Sequence, residues 1–187
     1  MTLLSEIISY NKTFVEEKEY EQYITTKFPD KRIVILTCMD TRLTELLHKS
    51  MNLKNGDAKL IKSAGAVVTH PFGGIMRSLL IAVYELQADE IFIVGHHDCG
   101  MNSIDTDHII ADMVERGIDE SLFKTLKYSG IDMKVWLHGF DDVTESVKAS
   151  VDQVRNHPLM DTKVPVHGLV IDPNTGELDI IVDGYTN

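Results

Sequence analysis

The spacing of apolar residues along this chain predicts alternating strands and helices. Two short runs, Arg32–Thr37 and Ile91–Val94, are rich in β-branched residues and short enough to be buried strands. Ala58–Lys62 predicts another strand after the turn Asn55-Gly56-Asp57. Between these strands, Ile75–Gln87 is apolar nearly all round, which predicts a crossover helix buried on both sides. Alternating strands and helices are typical of a parallel sheet, so we predict an α/β fold.

The two ends of the chain predict an arm and a hairpin. Residues Leu3–Phe28 have an irregular amphipathic pattern that predicts an N-terminal helical arm over residues 1–28. Val166–Ile171 and Leu178–Val182 flank turn residues and predict a closing hairpin. Further helices are predicted at Leu43–Met51, at Asp107–Arg116, and from a cap at Asp141 or Asp142 to just before Pro158. We therefore expect one domain over residues 1–187, with a central, mainly parallel sheet flanked by helices.

Composition and charge exclude several classes of partner. A chain of 187 residues with 43% apolar residues is long enough for one full core. Its formal charge of -11, from 18 Lys+Arg against 29 Asp+Glu, argues against nucleic acid and anionic membranes, which both reward basic surfaces. No apolar run approaches the ~18 residues of a transmembrane helix, and no basic, apolar leader begins the chain. We therefore expect a cytoplasmic protein.

Candidate metal ligands follow two of the predicted strands directly. Cys38 comes after the strand Arg32–Thr37, and His96 and Cys99 come after Ile91–Val94. If the two strands are parallel neighbours, their carboxyl ends lie side by side, at the sheet edge where sites form. Thiolate and imidazole ligands select zinc over magnesium or calcium, and three protein ligands leave a fourth tetrahedral position for water or a nearby carboxylate.

The chain's two cysteines also permit other interpretations. In a small secreted protein, a disulfide between Cys38 and Cys99 would be the first expectation. The chain has no export signal, and the histidine three residues before Cys99 is needed by a metal site but not by a disulfide, so zinc is favoured. A redox dithiol formed by the two cysteines, with His96 incidental, is a further alternative.

Two motifs in this order resemble those of the β-class carbonic anhydrases. Cys-x-Asp-Thr-Arg begins at Cys38, a Ser-Ala-Gly loop begins at Ser63, and Gly-His-x-x-Cys-Gly begins at Gly95. The motif resemblance runs from Arg32 to Gly100, and residues 166–183 are similar to the small archaeal type. It implies a zinc lyase with one Zn²⁺ per chain that hydrates carbon dioxide reversibly to bicarbonate and a proton, through zinc-bound hydroxide.

The resemblance also implies roles for individual residues. Asp40 and Arg42 can pair after their strand, and in this family the arginine grips one carboxylate face while the other oxygen accepts the hydroxide hydrogen. Ser63, Ala64 and Gly65 would lie over the metal and offer backbone N–H groups to a bound anion. From spacing alone, this loop equally fits a tight strand-to-helix turn. The N-terminal arm would reach across to a second subunit, so we expect a homodimer or a higher homo-oligomer.

Several alternatives stay open at this level. The same zinc site could hydrolyse carbon disulfide or carbonyl sulfide, or Asp40 could close the coordination shell of a non-catalytic zinc-binding protein. The chain differs from the archaeal type at His97, where a small hydroxyl residue is frequent, and at His70-Pro71-Phe72. We expect His97 and His70 to lie at the pocket rim or directly behind the ligands, with a role in shuttling protons as an alternative. No Walker loop, dinucleotide fingerprint or nucleophile elbow is present in the sequence.

Overall fold

The computed structural model describes residues 1–186, whose strands form a mainly parallel sheet. Its order is β2-β1-β3-β4-β5. Neighbouring strands are parallel from β2 to β4, and β5 is antiparallel to β4. This confirms the predicted sheet, the adjacency of the first and third strands, and the closing hairpin. The strands are β1 (Ile33–Cys38), β2 (Ala58–Ser63), β3 (Glu90–His96), β4 (Val166–Ile171) and β5 (Leu178–Val182).

Helices flank the sheet, as the sequence pattern predicts. The longest helices after the arm pack beside the sheet, and α7 begins after Asp142, whose carboxylate accepts a hydrogen bond from the Glu145 N–H at 2.8 Å. Within residues 1–186, no helix is long and apolar enough to cross a membrane. The helices are α1 (Leu3–Glu16), α2 (Leu43–Ser50), α3 (Gly74–Tyr84), α4 (Thr106–Glu115), α5 (Ser121–Tyr128), α6 (Met133–Leu137) and α7 (Val143–Arg155).

The core lies on both faces of the sheet, which explains why β1 is a continuous apolar run. Val34 and Leu36 point to the face covered by α3 and α7, whereas Ile35 points to the face covered by α2. Alternate residues of a strand face opposite sides, so a strand buried on both sides needs apolar residues at every position. The carboxyl ends of these buried strands are therefore held firmly by packing.

The predicted N-terminal helix over Leu3–Phe28 is too long. Helix α1 ends at Glu16, and Lys18 has a left-handed φ of 57° that breaks the helix before a 3₁₀ turn at Glu19–Tyr23. Apolar residues continue at helical spacing beyond the break, so the pattern carries no stop signal. No residue of α1 is buried, and its apolar side chains, including Leu4 and Ile7, are exposed in the single chain.

The predicted crossover helix is correct in place but wrong in its burial and its end. Helix α3 stops at Tyr84 rather than Gln87, whose φ of 61° is left-handed. Met76 and Leu79 are buried against the sheet, but Ile81 and Tyr84 are exposed. Only one face of α3 is therefore covered within this chain. Between residues 120 and 140, where no helix or strand is predicted, the chain forms the short helices α5 and α6.

Candidate metal centre

Strands β1 and β3 bring three candidate ligands together at their carboxyl ends. Cys38 is the last residue of β1, His96 is the last of β3, and Cys99 follows in the next turn. Their ligand atoms all lie within 4.8 Å of one another, and the two Sγ atoms are 3.9 Å apart. All three residues are buried, His96 with only 1% of its surface exposed. The predicted meeting of these side chains is what the structure shows.

The orientation of His96 suits a metal ligand. Its Nδ1 lies 2.8 Å from the backbone oxygen of His97. Because a carbonyl only accepts, Nδ1 carries the proton and donates it, which leaves the Nε2 lone pair free. Nε2 is buried and has no hydrogen-bond partner among the described residues. Such an unpartnered buried atom beside two thiols fits a metal ligand whose other nitrogen is fixed by the backbone.

The two thiols differ in their acidity. Burial acts to raise the pKa of Cys38, but the neighbouring His96 imidazole in its protonated form and the backbone N–H groups of Asp40 and Gly65 outweigh it and lower that pKa to about 7. Burial and the adjacent Cys38 raise the pKa of Cys99 to about 11, although a backbone hydrogen bond from Met101 opposes this. Both cysteines are free thiols. A soft cation would favour the ionised form of both, so the donor set fits zinc.

Asp40 and Arg42 form a bidentate ion pair beside this group. Arg42 donates from Nε to Asp40 Oδ1 at 3.0 Å and from Nη2 to Oδ2 at 2.9 Å, and its backbone N–H donates to Oδ1 at 2.8 Å. The Arg42 guanidinium lowers the pKa of Asp40 to about 2, against the opposing effect of burial. Asp40 Oδ2 lies 3.8 Å from His96 Nε2. An ionised carboxylate therefore faces the Cys-His-Cys group.

Arg42 has a second partner that the sequence analysis missed. It donates from Nη1 to Asp98 Oδ2 and from Nη2 to the backbone oxygen of Asp98, each at 2.8 Å. Asp98 lies between His96 and Cys99 in the ligand turn. Its place between two candidate ligands was visible in the sequence, but nothing in the spacing connected it to a residue 56 positions earlier.

The Ser63-Ala64-Gly65 loop lies next to Cys38. Ser63 is paired with Cys38 in the parallel register of β1 and β2, and its backbone oxygen accepts from the Met39 N–H at 2.9 Å. Gly65 has a φ of 70°, a left-handed conformation that suits glycine. The Ser63 Oγ is buried without a hydrogen-bond partner among the described residues. The structure thus places the loop beside Cys38, and the predicted contact of its N–H groups with a bound anion stays a prediction.

The two histidines expected at the rim lie outside the ligand group. The His97 side chain is half exposed, with Nε2 4.0 Å from Asp179 Oδ2. His70 Nδ1 accepts from the Phe72 N–H at 3.0 Å, and His70 lines an open groove of about 680 Å³ that begins at Ala64 and passes Trp136. This groove is lined mostly by apolar side chains, among them Val67, Met101, Ile104, Val135 and Leu137.

The protein has an α/β fold with a mainly parallel sheet, and a buried Cys-His-Cys group lies at the carboxyl ends of two neighbouring strands. This group is a candidate metal centre. A family model described as "Carbonic anhydrase" matches residues 33–178, which include every residue of that centre. The chain therefore belongs to the β-class carbonic anhydrase family.

Individual relatives agree with this assignment. The chain is 60% identical to a protein of Bacillus subtilis (strain 168) named "Putative carbonic anhydrase YtiB". The similarity covers 187 residues, the full length of both proteins. It is also similar to the crystal structure of β-carbonic anhydrase isoform I from Trichomonas vaginalis, with a TM-score of 0.90, 38% identity and coverage of 99% and 100% of the two chains. A carbon disulfide hydrolase of Acidithiobacillus thiooxidans is 31% identical over 157 residues, covering 80% of this chain and 76% of that protein.

We predict that Cys38→Ser, His96→Ala and Cys99→Ser each lose most of their bound zinc. Each variant removes one of three protein donors, and a two-donor site binds zinc far more weakly. Elemental analysis of proteins purified with zinc in the medium measures the loss, with circular dichroism to verify folding. The matched control is His97→Ala, which removes an exposed imidazole but keeps the backbone oxygen that orients His96. A ligand variant with wild-type zinc content would mean that the assignment is wrong.

Proposed function

We propose that this protein is a zinc-dependent carbonic anhydrase that converts carbon dioxide and water reversibly to bicarbonate and a proton. The observation that carries the proposal is the ionised Asp40, held by Arg42, beside the buried group of Cys38, His96 and Cys99. Family membership supports the same activity. Each chain has one such group among its described residues, so we infer one zinc ion per chain.

The donor set and its surroundings favour zinc chemistry. Thiolate and imidazole donors prefer zinc to hard cations. When bound, zinc acts as a Lewis acid that makes hydroxide available from water near neutral pH, for which carbonic anhydrases are the standard example. Two side chains suit zinc binding in particular. His96 Nε2 has no hydrogen-bond partner among the described residues, and the pKa of Cys38 is lowered, which favours its thiolate.

Asp40 is suited to orient the nucleophile. Its Oδ1 accepts from two N–H groups of Arg42, and its Oδ2 accepts from Arg42 Nη2 and also lies 3.8 Å from His96 Nε2. A carboxylate that is ionised at neutral pH only accepts hydrogen bonds. Asp40 would therefore accept the hydrogen of the attacking hydroxide and turn its lone pair toward the carbon of carbon dioxide. An apolar groove lies next to the Ser63-Ala64-Gly65 loop, with Ala64 and Met101 in its lining, and its apolar walls suit a small apolar substrate.

The geometry favours an open, catalytic site over a closed one. The atoms of Cys38, His96 and Cys99 form the compact group, and no Asp40 oxygen lies within the same 4.8 Å of all of them. Arg42 engages both oxygens of Asp40. A carboxylate held by an arginine fork is drawn away from the ligand position that a closed, non-catalytic site would require.

A second candidate activity is hydrolysis of carbon disulfide or carbonyl sulfide. The relative from Acidithiobacillus thiooxidans is named a carbon disulfide hydrolase. Carbon disulfide, like carbon dioxide, is a linear molecule that hydroxide can attack at its carbon. The chain is 38% identical to the β-carbonic anhydrase of Trichomonas vaginalis against 31% to this hydrolase, and on that difference we favour carbon dioxide as the substrate.

We predict that Asp40→Asn keeps its zinc but loses about 10²-fold in the rate of carbon dioxide hydration, because the amide cannot accept as a paired carboxylate does. Stopped-flow measurement with the zinc-loaded protein tests this. Asp141→Asn serves as control, since Asp141 is exposed and lies outside the Cys-His-Cys group. Sulfide release from carbon disulfide, assayed in parallel, identifies the rival activity. If wild-type protein releases sulfide but does not hydrate carbon dioxide, the proposal is wrong.

We also propose that the protein is a homodimer or a larger homo-oligomer held by its N-terminal arm. The arm contains the amphipathic helix α1, and the apolar side of this helix is exposed in the single chain. A helix of this length gains little stability alone, so an unburied apolar stripe favours packing against another surface.

Removal of residues 1–28 should convert the assembly to monomers while leaving zinc binding intact, because no candidate ligand lies in the arm. Sedimentation velocity of the full-length and shortened chains measures the change. An unchanged oligomer after truncation would place the interface elsewhere.

A further inference from the structure

Asp98 connects the Asp40–Arg42 ion pair to the turn that carries His96 and Cys99. Its carboxylate and its backbone oxygen both accept from Arg42, each at 2.8 Å. With the two side-chain bonds to Asp40, the Arg42 guanidinium makes four hydrogen bonds. Four of its five N–H donors would be needed for these bonds if each were used once. The fork is therefore fixed on both sides.

These contacts join two loops that are distant in sequence. Asp40 and Arg42 share the loop after β1, so their pair alone makes no bond to the turn that carries His96 and Cys99. Asp98 belongs to the turn after β3, between His96 and Cys99. The bonds from Arg42 to Asp98 tie the two loops together directly, and Asp40 Oδ2 lies 3.8 Å from His96 Nε2.

The backbone conformation of Asp98 allows it to contact Arg42 with two groups at once. Its φ is 51°, in the left-handed region that most residues avoid but that aspartate and asparagine tolerate. In this conformation one residue presents both its backbone oxygen and its carboxylate to Arg42. A backbone in a rarely populated region often marks a functional constraint.

We propose that Asp98 is a positioning residue for the reaction: it holds the Arg42 fork so that Asp40 keeps its orientation toward the metal group. This inference rests on the proposed hydration of carbon dioxide. Asp98 acts through Arg42 and Asp40. Its side chain is 84% exposed. An exposed ion pair contributes little to the free energy of unfolding. We therefore assign the Arg42–Asp98 contact a role in orienting Asp40 rather than in stabilising the fold.

The test compares Asp98→Gly with Asp98→Asn. Both replacements tolerate a left-handed φ, but glycine removes the carboxylate that accepts from Arg42 Nη1 and keeps only the backbone oxygen, whereas asparagine also keeps one uncharged side-chain oxygen. In Asp98→Gly, kcat for carbon dioxide hydration should fall about tenfold to a hundredfold, with KM, zinc content and the urea midpoint unchanged. Asp98→Asn should recover part of the loss. A fall in zinc content or in the urea midpoint that accounts for the whole loss of rate would overturn the proposal.

A second measurement reports on Arg42 directly. The chain has five arginines, so their Nε–Hε signals in a ¹⁵N–¹H NMR spectrum of the zinc-loaded protein can be assigned by replacing Arg42 with lysine. The Arg42 signal should exchange slowly with solvent in the wild type and quickly in Asp98→Gly. The matched control is Asp89→Asn, which breaks the exposed Arg32–Asp89 pair far from the site and should leave the Arg42 signal and kcat unchanged.

The outcomes separate this inference from the function on which it rests. Faster exchange at Arg42 with a lower kcat supports the positioning role. An unaltered Arg42 signal in Asp98→Gly overturns it, even if the wild-type protein hydrates carbon dioxide. If the wild-type protein with full zinc shows no hydration and Asp40→Asn changes no rate, the proposed function fails, and the positioning role fails with it whatever the NMR signal shows.

Discussion

The parallel pairing of β1 with β3 is the constraint on which the site depends. In this register Thr37 is the partner of Val94, so Cys38 and His96 leave the sheet at the same edge. A slip by one residue would turn every side chain of a strand to the opposite face, and both faces of these strands are buried. The hydrophobic core thus fixes the register, and the register brings the candidate ligands together.

Close packing of α7 reinforces this arrangement from one face. A Cβ on Gly95, directly before His96, would lie 2.8 Å from Val147 Cγ2, and one on Gly168 of β4 would lie 2.7 Å from Val147 Cγ1. Both glycines therefore let the helix approach the sheet more closely than a side chain would permit. The end of β3 is confined between its neighbours and this helix, which limits the movement of His96.

The sequence predicts the fold and the meeting of the ligands because both follow from short-range patterns. Buried strands are continuous apolar runs, and parallel neighbours bring their carboxyl ends together. What it could not predict depends on backbone conformation or long-range contact. The left-handed Lys18, which ends the first helical segment, has no local signal, since lysine is an ordinary helix residue. The contact of Asp98 with Arg42 appears only when the two loops are brought together by the sheet.

The site forms a continuous series of contacts from the buried ligands to the surface: the thiols and His96, then Asp40, Arg42 and finally the exposed Asp98. The central claim is that the innermost part of this series holds zinc through the thiolates of Cys38 and Cys99 and the imidazole of His96. X-ray absorption at the zinc edge of the purified protein tests it most directly. We expect two sulfur neighbours at about 2.3 Å and two lighter nitrogen or oxygen neighbours at about 2.0–2.1 Å. Zinc without sulfur neighbours would contradict the account.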